Sequence, residues 1–178
     1  AATGGEVNIT NIDPGLCDSF ISVFEQMGCN IYIYDGIYDG CVYVNAGKPL
    51  RAVNKIITMP HPGFPTDAQA ILMAVLCKAN GTSIFEENIF ENRYRHVDAL
   101  VKMGADIKVI GKAAVINGVK TLYGAKVSAT DLRGGAAMAV AGLGAEGKTE
   151  ISDIDHIDRG YENFESVITS MGGKITRI

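Results

Sequence analysis

The chain lacks most of the features that would label its function at once. It has only 5 prolines in 178 residues and 47% of its residues are apolar, which excludes wholesale disorder and allows a packed core. The length points to one domain, or to two small ones. No apolar run reaches the roughly 18 residues of a membrane-spanning helix. Basic residues are not in excess: 16 Lys and Arg stand against 20 Asp and Glu, for a net charge of -4. That argues against a general nucleic-acid or anionic-membrane binder and leaves room only for a local basic pocket. The four cysteines, Cys17, Cys29, Cys41 and Cys77, form no C-x-x-C pair. They are expected as free, partly buried thiols in a reducing cytosol, with a disulfide pair or a metal site as the alternatives. The three histidines, His61, His96 and His156, lack metal-ligand spacing, so no metal site is expected. No G-x-S-x-G elbow occurs. Ala1-Ala2-Thr3-Gly4-Gly5 has no basic n-region and no apolar h-region, so a signal peptide is not expected there. With no starting Met, a piece of a longer chain is expected.

Glycine is plentiful, 21 residues with no collagen-like period, which points to many tight turns and close backbone approaches. Some of it marks an internal repeat. Met-Gly occurs at Met27-Gly28, Met103-Gly104 and Met171-Gly172, roughly 70 residues apart. Strand-like runs follow at 30–33, 106–109 and 174–176. Residues at helical spacing precede each pair: Phe20, Val23 and Phe24; His96, Ala99 and Leu100; Phe164, Val167 and Ile168. A glycine just past the last apolar position is a helix stop. A second kind of half-repeat alternates with this one. Thr66-Asp67 and Thr130-Asp131 each open a small-residue helix containing Met-Ala-Val, expected to end near Gly81 and Gly147 and to exit into a Thr-led strand. Small residues predict that these two helices pack inside the domain. The more charged helices of the first kind predict an outer layer. The expected architecture is α/β (or α+β) with pseudo-threefold symmetry, two full units and one half, lacking the closing half after Ile178. Tyr34-Asp35-Gly36-Ile37-Tyr38-Asp39-Gly40 reads as turns between strands.

Three segments carry candidate chemistry. Thr and Asp at a helix start are ordinarily caps. Arg133, however, falls in the first helical turn after Asp131, where the helix dipole disfavours a cation, so an anion is expected beside it. Phe90-Glu91-Asn92-Arg93-Tyr94-Arg95-His96 precedes a helix and reads either as a solvated, capped start or as a holder of phosphate or carboxylate. His156-Ile157-Asp158-Arg159-Gly160-Tyr161 occupies the same place in its own half-repeat, with the same two readings. Arg93, Arg133 and Arg159 are thus expected near helix starts, forming a basic rim if those starts share a face.

Four segments occur in order: Phe64-Pro65-Thr66-Asp67-Ala68-Gln69, Ile89-Phe90-Glu91-Asn92-Arg93, Ala129-Thr130-Asp131-Leu132-Arg133 and His156-Ile157-Asp158-Arg159-Gly160-Tyr161. Together they resemble the UDP-N-acetylglucosamine enolpyruvyl transferase (1-carboxyvinyltransferase) family over nearly the whole chain. The resemblance implies an inside-out α/β barrel with helices at the centre, each of two similar domains being built from three βαβαββ units. It implies that residues 1–178 form a single domain, the C-terminal half of such an enzyme. The domain bearing the family's Cys loop, and the N-terminal segment that crosses over to complete this one, would lie elsewhere. The implied reaction transfers the enolpyruvyl group of phosphoenolpyruvate to the 3′-hydroxyl of UDP-N-acetylglucosamine, by addition and then elimination of phosphate. In the family this is the first committed step of bacterial peptidoglycan synthesis, linked to cell shape and division, and runs in the cytoplasm without metal or organic cofactor.

By the same resemblance, Asp67 matches a carboxylate that binds the 3′-hydroxyl and is proposed as a base. Ile89 matches a position whose backbone contacts the nucleotide sugar. Arg133 and Arg159 match arginines on the phosphoenolpyruvate side, Arg93 matches a further cation, and Asp131 matches a second essential carboxylate. The implied partners are these two small molecules and the enzyme's other domain, with no nucleic acid and no membrane. Self-association through the exposed interdomain face is a further expectation. None of the four cysteines matches the Cys loop and the family's Lys-Asn pair is absent, so the chain alone is expected not to turn over. Two other readings stand. One is a shikimate-3-phosphate enolpyruvyl transferase domain, which shares the carboxylate-plus-arginine logic. The other is a non-catalytic binding module on the same scaffold.

Overall fold

A computed structural model describes every residue except Asp35, Ile37, Tyr38, Asp39 and Lys48. The turns expected over 34–40 fall largely on these positions and lie outside the described residues. Strand β1 (Glu6–Thr10) leads through a 3-10 turn (Pro14–Cys17) into helix α1 (Asp18–Gln26), then β2 (Asn30–Tyr34) and β3 (Cys41–Asn45). There follow β4 (Lys55–Ile57), α2 (Thr66–Leu76), β5 (Thr82–Glu86), α3 (Val97–Lys102), β6 (Asp106–Ile110) and β7 (Ala113–Asn117). The last part holds β8 (Lys126–Ser128), α4 (Leu132–Leu143), β9 (Glu150–Ser152), α5 (Asp155–Asp158) and α6 (Phe164–Ser170).

The sheets repeat one topology. β1, β3 and β2 lie in that order, antiparallel, and β5, β7 and β6 do the same. β4 runs parallel beside β5, and β8 beside β9, each pair joined by a crossover helix as parallel neighbours require. Residues from β4 to β7 therefore make one complete βαβαββ unit, with partial units on either side. The Met-Gly stops behave as expected. Gly28, Gly104 and Gly172 have φ of 93°, 95° and 87°, the left-handed turn that closes a helix at little cost to glycine.

Helices α2 and α4 pack on each other, with Ala70, Met73 and Ala74 of one and Ala137, Met138 and Ala141 of the other all buried. Small side chains make this close approach feasible. A Cβ on Gly135 would lie 2.6 Å from Ile157 Cγ1, so α5 seats against α4 because that position carries no side chain. The sheets add Phe85 and Ile116 to the core, and Met27 and Met103 close it beneath the first-kind helices. An aromatic row runs from Phe20 on α1 through Phe64 to Phe85 on β5, with ring centroids 5.3 and 5.7 Å apart.

Three expectations need correction. First, α2 and α4 stop at Leu76 and Leu143, short of Gly81 and Gly147, with turns and bends between. Second, no strand forms at 174–176. β2 and β6 are each held by an antiparallel partner, and among the described residues the 174–176 backbone has no such partner strand. Third, Met171 is exposed, whereas its counterparts Met27 and Met103 are fully buried, and Val167 is exposed where Val23 is buried; among the described residues no such sheet covers α6. Instead Arg177 ties the tail to Asp158 and Glu165, and a cavity of about 350 Å³ lies beside β9, lined by Ile151, Ile154, Phe164 and Ile175 among others. Among the described residues, β9 has no antiparallel neighbour, and no helix is long and apolar enough to cross a membrane.

Candidate functional site

The two Thr-Asp motifs fold differently. Pro65 is the N-cap of α2, so Thr66 and Asp67 both lie inside the first turn. Its fixed φ and missing N–H suit it to that entry. In α4 the N-cap is Asp131 itself, whose carboxylate accepts from the N–H groups of Arg133 and Gly134 at 2.9 and 2.8 Å. Asp131 therefore does the ordinary capping job, and Asp67 is free for another.

Asp67 is shared by two arginines. Arg93 Nη2 donates to its Oδ1 and Arg133 Nη2 to its Oδ2, both at 2.8 Å. The carboxylate remains 59% exposed, while the two guanidinium side chains are 22% and 27% exposed. Each guanidinium also meets a ring: Arg93 lies 5.2 Å from the Phe90 centroid, and Arg133 lies 5.8 Å from that of Tyr161 and donates to its hydroxyl. The anion expected beside Arg133 is thus a side chain of the same protein. Hydrogen bonding from Arg133, reinforced by the charges of both arginines, holds the Asp67 carboxyl below the usual range despite some desolvation. Arg133→Ala is expected to let Asp67 titrate closer to an ordinary aspartate, read by carboxyl ¹³C shifts against pH. The same change is expected to alter stability by only about 0–1 kcal/mol, as for exposed ion pairs.

Arg159 does not join this group. It caps the C-terminus of α5, and its Nη2 lies 2.7 Å from His156 Nδ1. The basic rim of three arginines is accordingly not formed: two share the single carboxylate of Asp67 and the third is turned to a histidine. The motif around Arg159 forms a short helix of its own, rather than the approach to α6, and it reaches the site through Tyr161. Ile89 is exposed, yet its N–H points inward, donating to Glu87 Oε1 at 2.9 Å. His96, placed by its spacing with Ala99 and Leu100 and also counted in the segment read as a solvated start or an anion holder, is buried against Met73, its Nε2 3.3 Å from Sδ. Among the described residues, no group of three His, Cys, Asp or Glu side chains could hold a metal ion.

Sequence reasoning passed over Glu87, which is 1% exposed. Its Oε1 accepts from Thr58 Oγ1 and from the N–H groups of Ile89 and Phe90, and its Oε2 accepts from Thr66 Oγ1, all at 2.9–3.1 Å. A signal was present in the strand alternation. Ser83 and Phe85 point inward on β5, and period two carries the buried face on to Glu87.

Residues 1–168 match the family model described as EPSP synthase (3-phosphoshikimate 1-carboxyvinyltransferase). The chain is 47% identical over 178 residues to UDP-N-acetylglucosamine 1-carboxyvinyltransferase 3 of Caldanaerobacter subterraneus subsp. tengcongensis, covering 100% of this chain and 42% of that protein. It is 48% identical to the UDP-N-acetylglucosamine 1-carboxyvinyltransferase of Clostridium botulinum, again over 100% and 42%. A relative of that name from Desulfofundulus thermocisternus is 47% identical, over 99% of this chain and 71% of its own length. The chain thus spans less than half of the first two relatives. In fold it is similar to the enolpyruvyl transferase NikO from Streptomyces tendae, with a TM-score of 0.80 at 24% identity over 97% of this chain and 40% of that one. It is also similar to EPSP synthase from Acinetobacter baumannii, with a TM-score of 0.74 at 17% identity over 98% and 43%. With its paired central helices, its repeated sheet topology and these identities, the chain belongs to the EPSP synthase family of carboxyvinyltransferases, among the UDP-N-acetylglucosamine 1-carboxyvinyltransferases.

Proposed function

We propose that this chain is one domain of an enzyme that transfers the enolpyruvyl group of phosphoenolpyruvate to the 3′-hydroxyl of UDP-N-acetylglucosamine, releasing phosphate. The observation that carries the reading is the meeting of Asp67, Arg93 and Arg133 at one exposed point. They come from the start of α2, the loop before α3 and the first turn of α4. A carboxylate to take the hydroxyl proton, set beside cations for a phosphate and a carboxylate, is what this chemistry asks for. A carboxylate bonded to two guanidinium groups is a poor base. An anionic substrate that takes Arg93 and Arg133 for itself releases Asp67 to the hydroxyl. As the 3′-oxygen adds to C2 of phosphoenolpyruvate, Asp67 takes its proton and an acid from the other domain protonates C3. Loss of phosphate from C2 and of a proton from C3 then restores the double bond.

Ile89 contributes backbone contacts to the nucleotide sugar in this reading. Arg159 reaches the phosphoenolpyruvate side by swinging away from His156, and Asp131 orients the start of α4 on which Arg133 sits. No metal or organic cofactor takes part. The remaining partner is the rest of the enzyme, which covers the free edge of β9 and the adjacent cavity and carries the Cys loop. The setting is the bacterial cytoplasm, early in peptidoglycan synthesis. Alone, the chain does not turn over and tends to self-associate through its uncovered face.

Amide NMR titration tests the reading, with UDP-N-acetylglucosamine in one sample and shikimate 3-phosphate in another. Weak, saturable shifts clustered at Asp67 and Ile89 with the nucleotide sugar alone are expected. Shifts with shikimate 3-phosphate alone would transfer the chain to the other acceptor. Phosphate release from phosphoenolpyruvate by the chain alone would defeat the claim that it needs its second domain.

A further inference from the structure

We propose that Glu87 is a positioning residue, which sets the start of α2 and the Ile89–Phe90 backbone at one fixed spacing. The proposal rests on the reading of Asp67 and Ile89 as the nucleotide-sugar side of the site. Burying a carboxylate is costly unless its lone pairs are filled and its charge is answered. Here four donors fill the oxygens, yet no Lys or Arg forms an ion pair with Glu87 among the described residues. A hydrophobic side chain in this place would avoid the desolvation cost, so the group is better explained by what it holds in register than by net stability.

What it holds is specific. Thr58, fully buried just past β4, donates to Oε1, and its own Oγ1 accepts from the N–H of Asn88. Thr66 donates to Oε2 from the first turn of α2, one residue before Asp67. Two successive N–H groups, of Ile89 and Phe90, close on Oε1. The backbone of Glu87 is itself pinned by its N–H to the carbonyl of Lys112. One carboxylate therefore joins β4, α2 and the loop after β5. That loop carries Phe90, on whose ring the Arg93 guanidinium rests while it bonds Asp67. Four hydrogen bonds from three segments converge on one carboxyl group and fix its place, which suits a spacer in a binding site.

The test compares the whole chain as wild type, Glu87→Ala, Glu87→Gln and Thr66→Val. The readouts are the Ile89 and Phe90 amide shifts, the ¹³C titration of the Asp67 carboxyl and the binding of UDP-N-acetylglucosamine. Glutamine keeps an acceptor oxygen for the two amides, so Glu87→Gln is expected to retain both signals and to bind within about threefold of wild type. Glu87→Ala is expected to move both amides, bring Asp67 closer to an ordinary titration and weaken binding on the order of tenfold or more. Thr66→Val cuts only the tie to α2. It is expected to move the Asp67 titration and leave the two amides in place, which keeps the proposal testable if Glu87→Ala fails to fold. Unchanged amides and an unchanged Asp67 titration in a folded Glu87→Ala would overturn it, as would a glutamine variant that behaves like the alanine one. If these signals move as described but the wild type does not bind the nucleotide sugar, the ligand assignment falls and the positioning role stands.

Discussion

Phe85→Ala is expected to cost about 3–5 kcal/mol of folding free energy, the usual range for emptying a fully buried aromatic site. Phe85 has no solvent exposure and sits on β5, an interior strand of the four-stranded sheet. Its ring packs edge-on to Phe64, at 5.7 Å and 69°. Phe64 in turn packs against Phe20 of α1, so the ring joins the first half-repeat to the complete unit. The surroundings cannot collapse into the gap, because strands lie on both sides of β5 and the first turn of α2 is drawn to Glu87. Since whole domains are stable by only about 5–15 kcal/mol, the variant is expected near the edge of folding. Urea denaturation checks this through the midpoint, read at an unchanged slope. A loss under about 1 kcal/mol would mean that the aromatic row is not a main tie. Phe85→Leu, which keeps most of the volume, is expected to cost less than about 1.5 kcal/mol.

Acid is expected to weaken the fold well before the carboxylates titrate, through His96. Burial pulls its imidazole from 6.5 down to about 4. The neighbouring Asp131 carboxylate and a hydrogen bond with the Arg93 backbone act the other way, and the Arg93 charge adds to the lowering. The native state therefore holds His96 neutral where the unfolded chain is protonated. Between about pH 6.5 and pH 4 the unfolded state binds more protons, so stability falls as pH falls. The shift amounts to about 2 kcal/mol lost by pH 5 and about 3 kcal/mol by pH 4. His96→Leu removes the group, and the urea midpoint of that variant is expected to be nearly flat from pH 7 to pH 5 while that of the wild type declines. Parallel declines would sink the assignment. Asp67 acts in the same direction at lower pH. Its contribution is present above the ordinary carboxylate range and lost as pH falls through its depressed value, but at 59% exposure screening keeps it small.

Much of the architecture was legible in the residues because its signals are local. Helix stops and small-residue helices act over about ten residues, and the Met-Gly stops and the two inner helices met their counterparts in the structure. Met27-Gly28 and Met103-Gly104 close their helices on buried methionines and glycines of positive φ. The central pairing of α2 and α4 was foreshadowed by their alanines and glycines. Where a local signal needed a distant partner, the expectation failed. Among the described residues, the 174–176 segment has strand composition but no partner strand, and Met171 has the right spacing but no sheet above it.

The amino-acid sequence by itself determined the repeat, the kind of each half-repeat and the residue types brought to the helix starts. Only the tertiary structure decided which of them meet. Asp67 joins Arg93 across 26 residues and Arg133 across 66, a pairing that depends on how α2 lies on α4. It also decided that Asp131 is spent on capping, that Arg159 turns to His156 and that Glu87 is buried in a knot of four donors. The physical reason is one of range. Backbone periodicity and caps are set by neighbours in the chain, whereas a carboxylate's partners are set by packing between elements that the chain itself keeps far apart.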